Sequence, residues 1–264
     1  MFSVKFFQRL GDSVLNMLEE IGAFTIFSLQ TIRWIFARPF DFKELLNQMY
    51  EVGYKSIPVG AVSSFFIGMV MALQLGVSIE KVIQGTSTIM GGGIAIAMVR
   101  ELAPVITAVL LAGRVGSAMA AEVGTMKVTE QIDALSTLAT NPIHYLSTPR
   151  FLATFLSLPL VTVFAIIAGV CGGALISNIT LDITFNKYFE TAEIWVNPED
   201  MISGVGKTFF FGAEIALVSC FTGFRAKGGA EGVGKATIQA VVVSYTLIII
   251  SDYFITYIFQ LFGL

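Results

Sequence analysis

Two stretches of this chain run without a charge for longer than a soluble core requires. Ser56 to Ile79 and Phe151 to Leu181 contain no Asp, Glu, Lys or Arg. About 20 apolar residues carry an α-helix through the hydrocarbon of a bilayer, where the helix satisfies its own backbone. Charged residues make up 13% of the 264 and hydrophobic ones 55%, whereas a soluble domain carries roughly 25% charged. The chain is read as an all-α integral membrane protein.

Five spans can be placed, at about 57–79, 93–119, 151–177, 202–224 and 236–259. Ahead of them Phe6, Leu10, Val14, Met17, Leu18 and Ile21 recur at helical spacing, with Arg9, Asp12, Asn16, Glu19 and Glu20 on other faces. The apolar run from Ile21 to Ile32 is too short to cross and ends at Arg33-Trp34. Residues 1–40 are therefore read as an amphipathic elbow helix in the membrane interface and not as a cleavable signal. Asp41 and Glu44 then open a short helix ending near Gly53, in the pattern of a capping box.

Loop charge sets the orientation. The segment before the first span holds Lys5, Arg9, Arg33, Arg38, Lys43 and Lys55, and the loop between spans four and five holds Arg225, Lys227 and Lys235 against Glu231. The loop from Asn178 to Met201 holds Lys187 against Asp182, Glu190, Glu193, Glu199 and Asp200. The basic segments are expected in the cytoplasm and the acidic loop outside, with the N-terminus inside and the C-terminus outside.

Several chemistries find no support. A net charge of −3 gives no electrostatic case for nucleic acid. Cys171 and Cys220 sit inside apolar runs, and His144 has no Cys or His beside it, so no metal site is expected. Two stretches approach a Walker loop. Gly229 to Ala236 reads G-x-x-x-x-G-K but ends in Ala, and Ser203 to Thr208 ends in GKT but has Met201 where the first glycine belongs. A working loop follows a β-strand, which neither does. No ATPase is expected on this chain.

Ionisable residues nevertheless fall at membrane depth: Arg100, Glu101, Lys207, Glu214 and Asp252. Each costs about 2.5–3.5 kcal/mol if it faces lipid near the midplane. They line a transport pathway, or they form buried ion pairs of Arg100 or Lys207 with Glu101, Glu214 or Asp252. Small residues from Ala108 to Ala121, and the G-x-x-x-G of Gly169 and Gly173, suit close helix packing within one subunit or between two. Five helices are few to enclose a pathway, which favours a dimer. Between spans two and three, Ala121 to Pro142 is amphipathic, with Val123, Met126, Ile132, Leu135 and Leu138 against Glu122, Lys127, Glu130, Gln131 and Asp133. A helix there would either dock a soluble partner or rest on the headgroups.

RELAPVITAVLLAGRVGSAMAAEVGTMKVTEQIDAL (100–135), NPIHYLSTPRF (141–151) and GGAEGVGKAT with AVVVS (240–244) resemble the MlaE/YrbE family from about residue 40 onward. These are permease subunits of ABC transporters that work with MCE-domain proteins to move phospholipids in Gram-negative envelopes and maintain outer-membrane asymmetry. The resemblance implies a homodimer in the inner membrane whose segment 121–141 couples to a separate cytoplasmic ATPase dimer. It assigns coupling to Glu122, Gly124, Thr125, Met126, Thr129, Glu130, Asp133 and Leu135. It places Leu73, Gln74, Leu75, Arg100, Glu101, Leu102, Lys207 and Asp252 along the lipid pathway. It also implies a periplasmic MCE hexamer, a STAS-domain protein on the ATPase, and ATP and Mg on the partner with no cofactor on this chain. Thr140-Asn141 departs from the family, which has an acidic residue before the proline. No Arg- and Ser-rich transit peptide is present, which favours a bacterial protein over a plastid one. An ion-coupled secondary transporter using Arg100, Glu101, Glu214 and Asp252 is the alternative, although no internal repeat supports it. A structural membrane anchor is a third reading.

Overall fold

The computed structural model describes residues 2–35, 41–82 and 89–263, and for 2–10, 13 and 77–82 the backbone alone. The expected end of the elbow, with Arg38 and Pro39, lies outside the described residues. So do the side chains of Lys5, Phe6, Arg9, Leu10 and Ile79.

The described residues form helices joined by short turns, with no strand among them, and five helical segments are long and apolar enough to cross a membrane. Helix α1 (Phe2–Trp34) is continuous, and α2 (Phe42–Val52) follows. Asp41 caps α2 by accepting from the backbone N–H groups of Lys43 and Glu44 at 3.0 and 3.1 Å. Glu44 does not complete the expected capping box and instead accepts from Gln48 Nε2 at 2.8 Å. A single 3₁₀ turn, Tyr54–Ser56, leads into α3 (Ile57–Val82), the first span.

The second span is a composite. Helices α4 (Met90–Ala97), α5 (Ala103–Leu111) and α6 (Ser117–Val128) join through π-helical turns at Met98–Leu102 and Ala112–Gly116. Such wide turns insert an extra residue and commonly mark functional positions. Here they carry Arg100, Glu101 and Arg114.

Residues 121–141, expected as one amphipathic helix, form two pieces. Helix α6 stops at Val128, Glu130 takes a left-handed backbone (φ 61°), and α7 (Gln131–Thr137) starts after it. The hydrophobic pattern survives the break. Val123, Ile132 and Leu146 form a small core, with Met126, Leu135 and Phe224 packed against it.

The third span starts earlier than the sequence suggests. A π-helical turn at Ile143–Ser147 runs directly into α8 (Thr148–Leu181), because Pro149 falls in the first turn, where its missing N–H costs nothing. Helix α9 (Phe185–Trp195) crosses the acidic loop, and α10 (Pro198–Phe224) and α11 (Gly229–Leu261) complete the bundle.

Helices α3 and α8 form the most extensive packing in the fold. Glycines make their close approach possible. A Cβ at Gly68 would collide with the carbonyl of Gly169, and one at Gly172 with that of Phe65. The G-x-x-x-G of the third span therefore packs inside this chain, with Gly173 against Tyr188 and Ile94. Two apolar cores result, one around Leu111, Leu158, Phe211 and Ile248, the other around Ile94, Met98, Val99 and Tyr188.

Candidate functional site

Lys207 lies nine residues beyond Pro198, about 14 Å along α10, and its side chain is 1% exposed. A lone ammonium at that depth would be expelled or neutralised. Its Nζ instead donates to Glu101 Oε2 at 2.6 Å, Asp252 Oδ1 at 2.8 Å and Thr256 Oγ1 at 3.2 Å. Thr256 in turn donates to the other Glu101 oxygen at 3.2 Å. Spans two, four and five thus converge on one cation, a π-turn presenting Glu101 and successive turns of α11 presenting Asp252 and Thr256.

The cluster is not sealed. Glu101 keeps 42% of its side chain exposed and Asp252 21%, against 1% for the lysine. A cleft of about 280 Å³ opens beside it, lined by Ile96, Ala97, Arg100, Glu101, Ser203, Thr256 and Gln260. Two carboxylates on one lysine leave a formal charge of −1. The arrangement offers apolar wall, hydroxyl, amide and charge within one opening, the mixture an amphiphile needs.

Arg100, one residue before Glu101, lines the same cleft but pairs outside the lysine cluster. Its Nε stands 2.6 Å from Asp200 Oδ1, without the alignment of a hydrogen bond. Asp200 is buried and also receives the Asn197 backbone N–H at 2.8 Å, closing a capping box at the start of α10. Glu214, weighed from the sequence as an ion-pair partner of Arg100 or Lys207, forms no ion pair among the described residues and accepts from Ser251 at 3.0 Å. Leu102 and Leu75 pack against the second apolar core, whereas Leu73 and Gln74 are exposed on α3. None of the three α3 residues lines the cleft beside Glu101.

At the other end of the bundle the eight coupling candidates split by face. Glu122, Thr125, Thr129, Glu130 and Asp133 are exposed, while Gly124, Met126 and Leu135 point inward. A Cβ at Gly124 would meet Ala226 and Val233, beside the glycine-rich turn, at ordinary contact distance. Glu122 accepts from Arg150 Nη2 at 3.0 Å, and the same guanidinium donates to the Leu146 carbonyl at 2.9 Å. Lys127 pairs with Asp133 at 2.9 Å across the break between α6 and α7.

The Walker-like stretches are resolved by their surroundings. Ser203 to Thr208 lies within α10. Gly228 and Gly229 adopt positive φ (88° and 68°) and turn the chain from α10 into α11. A Cβ at Gly232 would strike the Lys227 carbonyl. These glycines make a tight interhelical turn, preceded by a helix where a phosphate loop needs a strand.

Sequence reasoning missed Thr256, Asp200, Arg150 and Ser251. Thr256 stood one helical turn beyond Asp252, which was signal enough. Asp200 stood at the third position after Asn197, a helix-start signature hidden among other acids of the loop.

Comparison with known proteins bears on this geometry. The family model described as Permease MlaE matches residues 45–258. A probable ABC transporter permease protein of Rickettsia bellii is 39% identical over 252 residues, covering 95% of this chain and 96% of that one. One of Synechocystis is 41% identical over 216 residues, 82% of this chain and 81% of the other. The chloroplastic protein Trigalactosyldiacylglycerol 1 of Arabidopsis thaliana is 38% identical over 230 residues, 87% of this chain and 65% of the plant protein. With five apolar helices on the same stretch, the chain is a multi-pass membrane protein and belongs to the MlaE family of ABC transporter permeases.

Proposed function

We propose that this chain is the permease half of a lipid-moving ABC transporter, carrying phospholipid between the inner membrane and a periplasmic MCE-domain hexamer. The carrying observation is the Lys207–Glu101–Asp252 cluster, opening on a cleft in the half of the spans near the acidic loop. An apolar cavity with a few charges at headgroup level suits a two-ended substrate. The name of the plant relative, which refers to a galactolipid, supports a lipid as cargo. The break between α6 and α7, with five exposed coupling candidates, supports a docking surface for a separate ATPase, which supplies ATP and Mg. Two copies of this chain would pair so that the cleft faces a shared cavity. A STAS-domain protein would join through the ATPase. The excess of Lys and Arg in the loops at the α7 end supports a cytoplasmic side there and a periplasmic C-terminus.

Native mass spectrometry of the chain, extracted gently from its own membrane, tests this reading. Two copies with an ATPase pair, an MCE hexamer and bound glycerophospholipid are expected. A lone oligomer without ATPase or lipid would overturn it and favour an ion-coupled transporter built on the same charges.

A further inference from the structure

The second π-turn of span two presents a cation that the lipid pathway does not use. Arg114 is exposed, and its Nη1 donates to Ser56 Oγ at 2.5 Å and more weakly to the Glu51 carbonyl at 3.4 Å. No carboxylate among the described residues lies within ion-pair distance of it. The acids nearby are already engaged. Glu51 holds Lys55 at 2.6 Å, and Glu122 holds Arg150 at 3.0 Å. Guanidinium has five donors in a planar fork, and most of this fork faces outward.

The surroundings sort into two openings. On the α6 side a cleft of about 330 Å³ is bordered by Glu51 and Glu122. On the α3 side a groove of about 570 Å³ is lined by Tyr54, Lys55, Ile57, Pro58 and Arg114, with no acid. This groove sits where α3 enters its span, so exposed Pro58 and half-buried Ile57 form its apolar floor while Lys55 and Arg114 stand at headgroup level. Tyr54 stacks on Tyr50 at 5.2 Å, and both are exposed, as interfacial tyrosines are. Lys55 Nζ lies 5.5 Å over the Tyr50 ring.

We propose that this groove holds the phosphate of an anionic glycerophospholipid, with Arg114 as its cation unpaired among the described residues, Lys55 sharing its ammonium between Glu51 and the phosphate, and the first acyl carbons on Ile57 and Pro58. Basic pockets between transmembrane helices bind anionic headgroups in this way. The shared chemistry is a phosphate monoanion, and the apolar floor selects a lipid over a soluble phosphate. The site lies at the α7 end of the bundle, away from the Lys207 cluster. It does not depend on the transport reading, because any membrane protein with this groove would hold the same lipid.

The test measures how far phosphatidylglycerol raises the unfolding temperature of the full chain in detergent beyond the rise given by phosphatidylcholine, with native mass spectrometry counting retained lipid. Arg114→Gln and Lys55→Gln should each lose at least half of that difference, and Arg114→Lys should keep part of it. Ser56→Ala removes the hydrogen bond to Arg114 but no charge, and should keep the difference even if its basal unfolding temperature falls. An unchanged difference in both Gln variants, or none in the unmodified chain, would overturn the proposal. Stabilisation by glycerol 3-phosphate equal to that by the lipid would overturn it in favour of a soluble phosphate.

Discussion

Lys207 and Glu101, 106 residues apart in sequence, meet at 2.6 Å on a lysine that is almost wholly buried. The pair is held by Asp252 and Thr256 on a third span, so three helices share one electrostatic knot. Breaking a buried ion pair from one side leaves an uncompensated charge and costs about 3–5 kcal/mol, whereas replacing all partners can be nearly neutral. Lys207→Met should therefore lower the unfolding temperature sharply. Adding Glu101→Gln and Asp252→Asn should recover much of the loss. A triple variant no better than Lys207→Met would show that packing around the lysine, not its charge, holds the knot.

Glu101 is the exposed member of that knot, so its contribution to folding is smaller than that of the lysine. Glu101→Ala should reduce lipid transfer between reconstituted vesicles more than it reduces the yield of folded protein. Equal losses in the two measurements would make the residue structural.

The bundle was legible in the sequence because uncharged length is the strongest signal a membrane helix gives, and five helices stand where five apolar runs did. Boundaries were less legible. The sequence places the third span from about residue 151, yet a proline in a first turn continues a helix, so the span begins at Ile143. Of the ionisable residues read at membrane depth, the fold brings Glu101, Lys207 and Asp252 together and leaves Glu214 with Ser251, because pairing needs three-dimensional register. Arg100 and Glu101 are neighbours in sequence, and they pair with Asp200 and Lys207, seven residues apart on α10.

Asp200 serves two groups, the Asn197 backbone and Arg100, and substitution can separate them. Asp200→Asn keeps an acceptor for the cap but loses the ion pair, whereas Asp200→Ala loses both. An N-terminal cap contributes about 1 kcal/mol, so the Ala variant should be less stable than the Asn variant by about that amount. Chemical unfolding of the two in parallel measures it, and equal stability would mean the cap contributes nothing at this position.

Gly172 should be the least replaceable glycine tested in the third span. A Cβ there strikes the Phe65 carbonyl, and backbone cannot rotate away as a side chain can. Overpacking of this kind costs about 1–3 kcal/mol or more, so Gly172→Ala should destabilise. Gly206→Ala is the control, since its Cβ would meet only the Phe259 ring at 3.7 Å, and it should be neutral or better. Thermal unfolding of both variants decides whether α3 and α8 pack as closely as described.

Tyr188 gives the opposite sign. It is fully buried on the inner face of α9, and among the described residues its hydroxyl has no hydrogen-bond partner. An unsatisfied buried group costs about 1–3 kcal/mol, so Tyr188→Phe should raise stability. The same burial pushes the phenol's pKa well above its ordinary value, with Cys171 adding to the rise. The unfolded chain therefore ionises first, and stability that is complete below about pH 10 falls as pH climbs towards the folded value. The Phe variant should lose that part of the alkaline decline. A destabilised Phe variant would show that the hydroxyl has a partner when α9 is in place.

Glu130 and Asp133 flank the break between α6 and α7, both exposed. Glu130 holds a left-handed backbone at φ 61°, and Asp133 is tied to Lys127 at 2.9 Å. An exposed pair contributes about 0–1 kcal/mol, so reversing charge here should barely affect the fold. If the ATPase docks on this corner, Glu130→Lys combined with Asp133→Lys should abolish its co-purification and its stimulation while leaving the unfolding temperature nearly unchanged. Glu130→Gly is the companion variant, since it relieves the left-handed strain of about 1–2 kcal/mol without adding charge. It should therefore raise stability and, since it only removes one of the two acids, weaken binding less than the Lys pair does. A Lys pair that still binds and stimulates the ATPase would place docking on another surface of the α7 end.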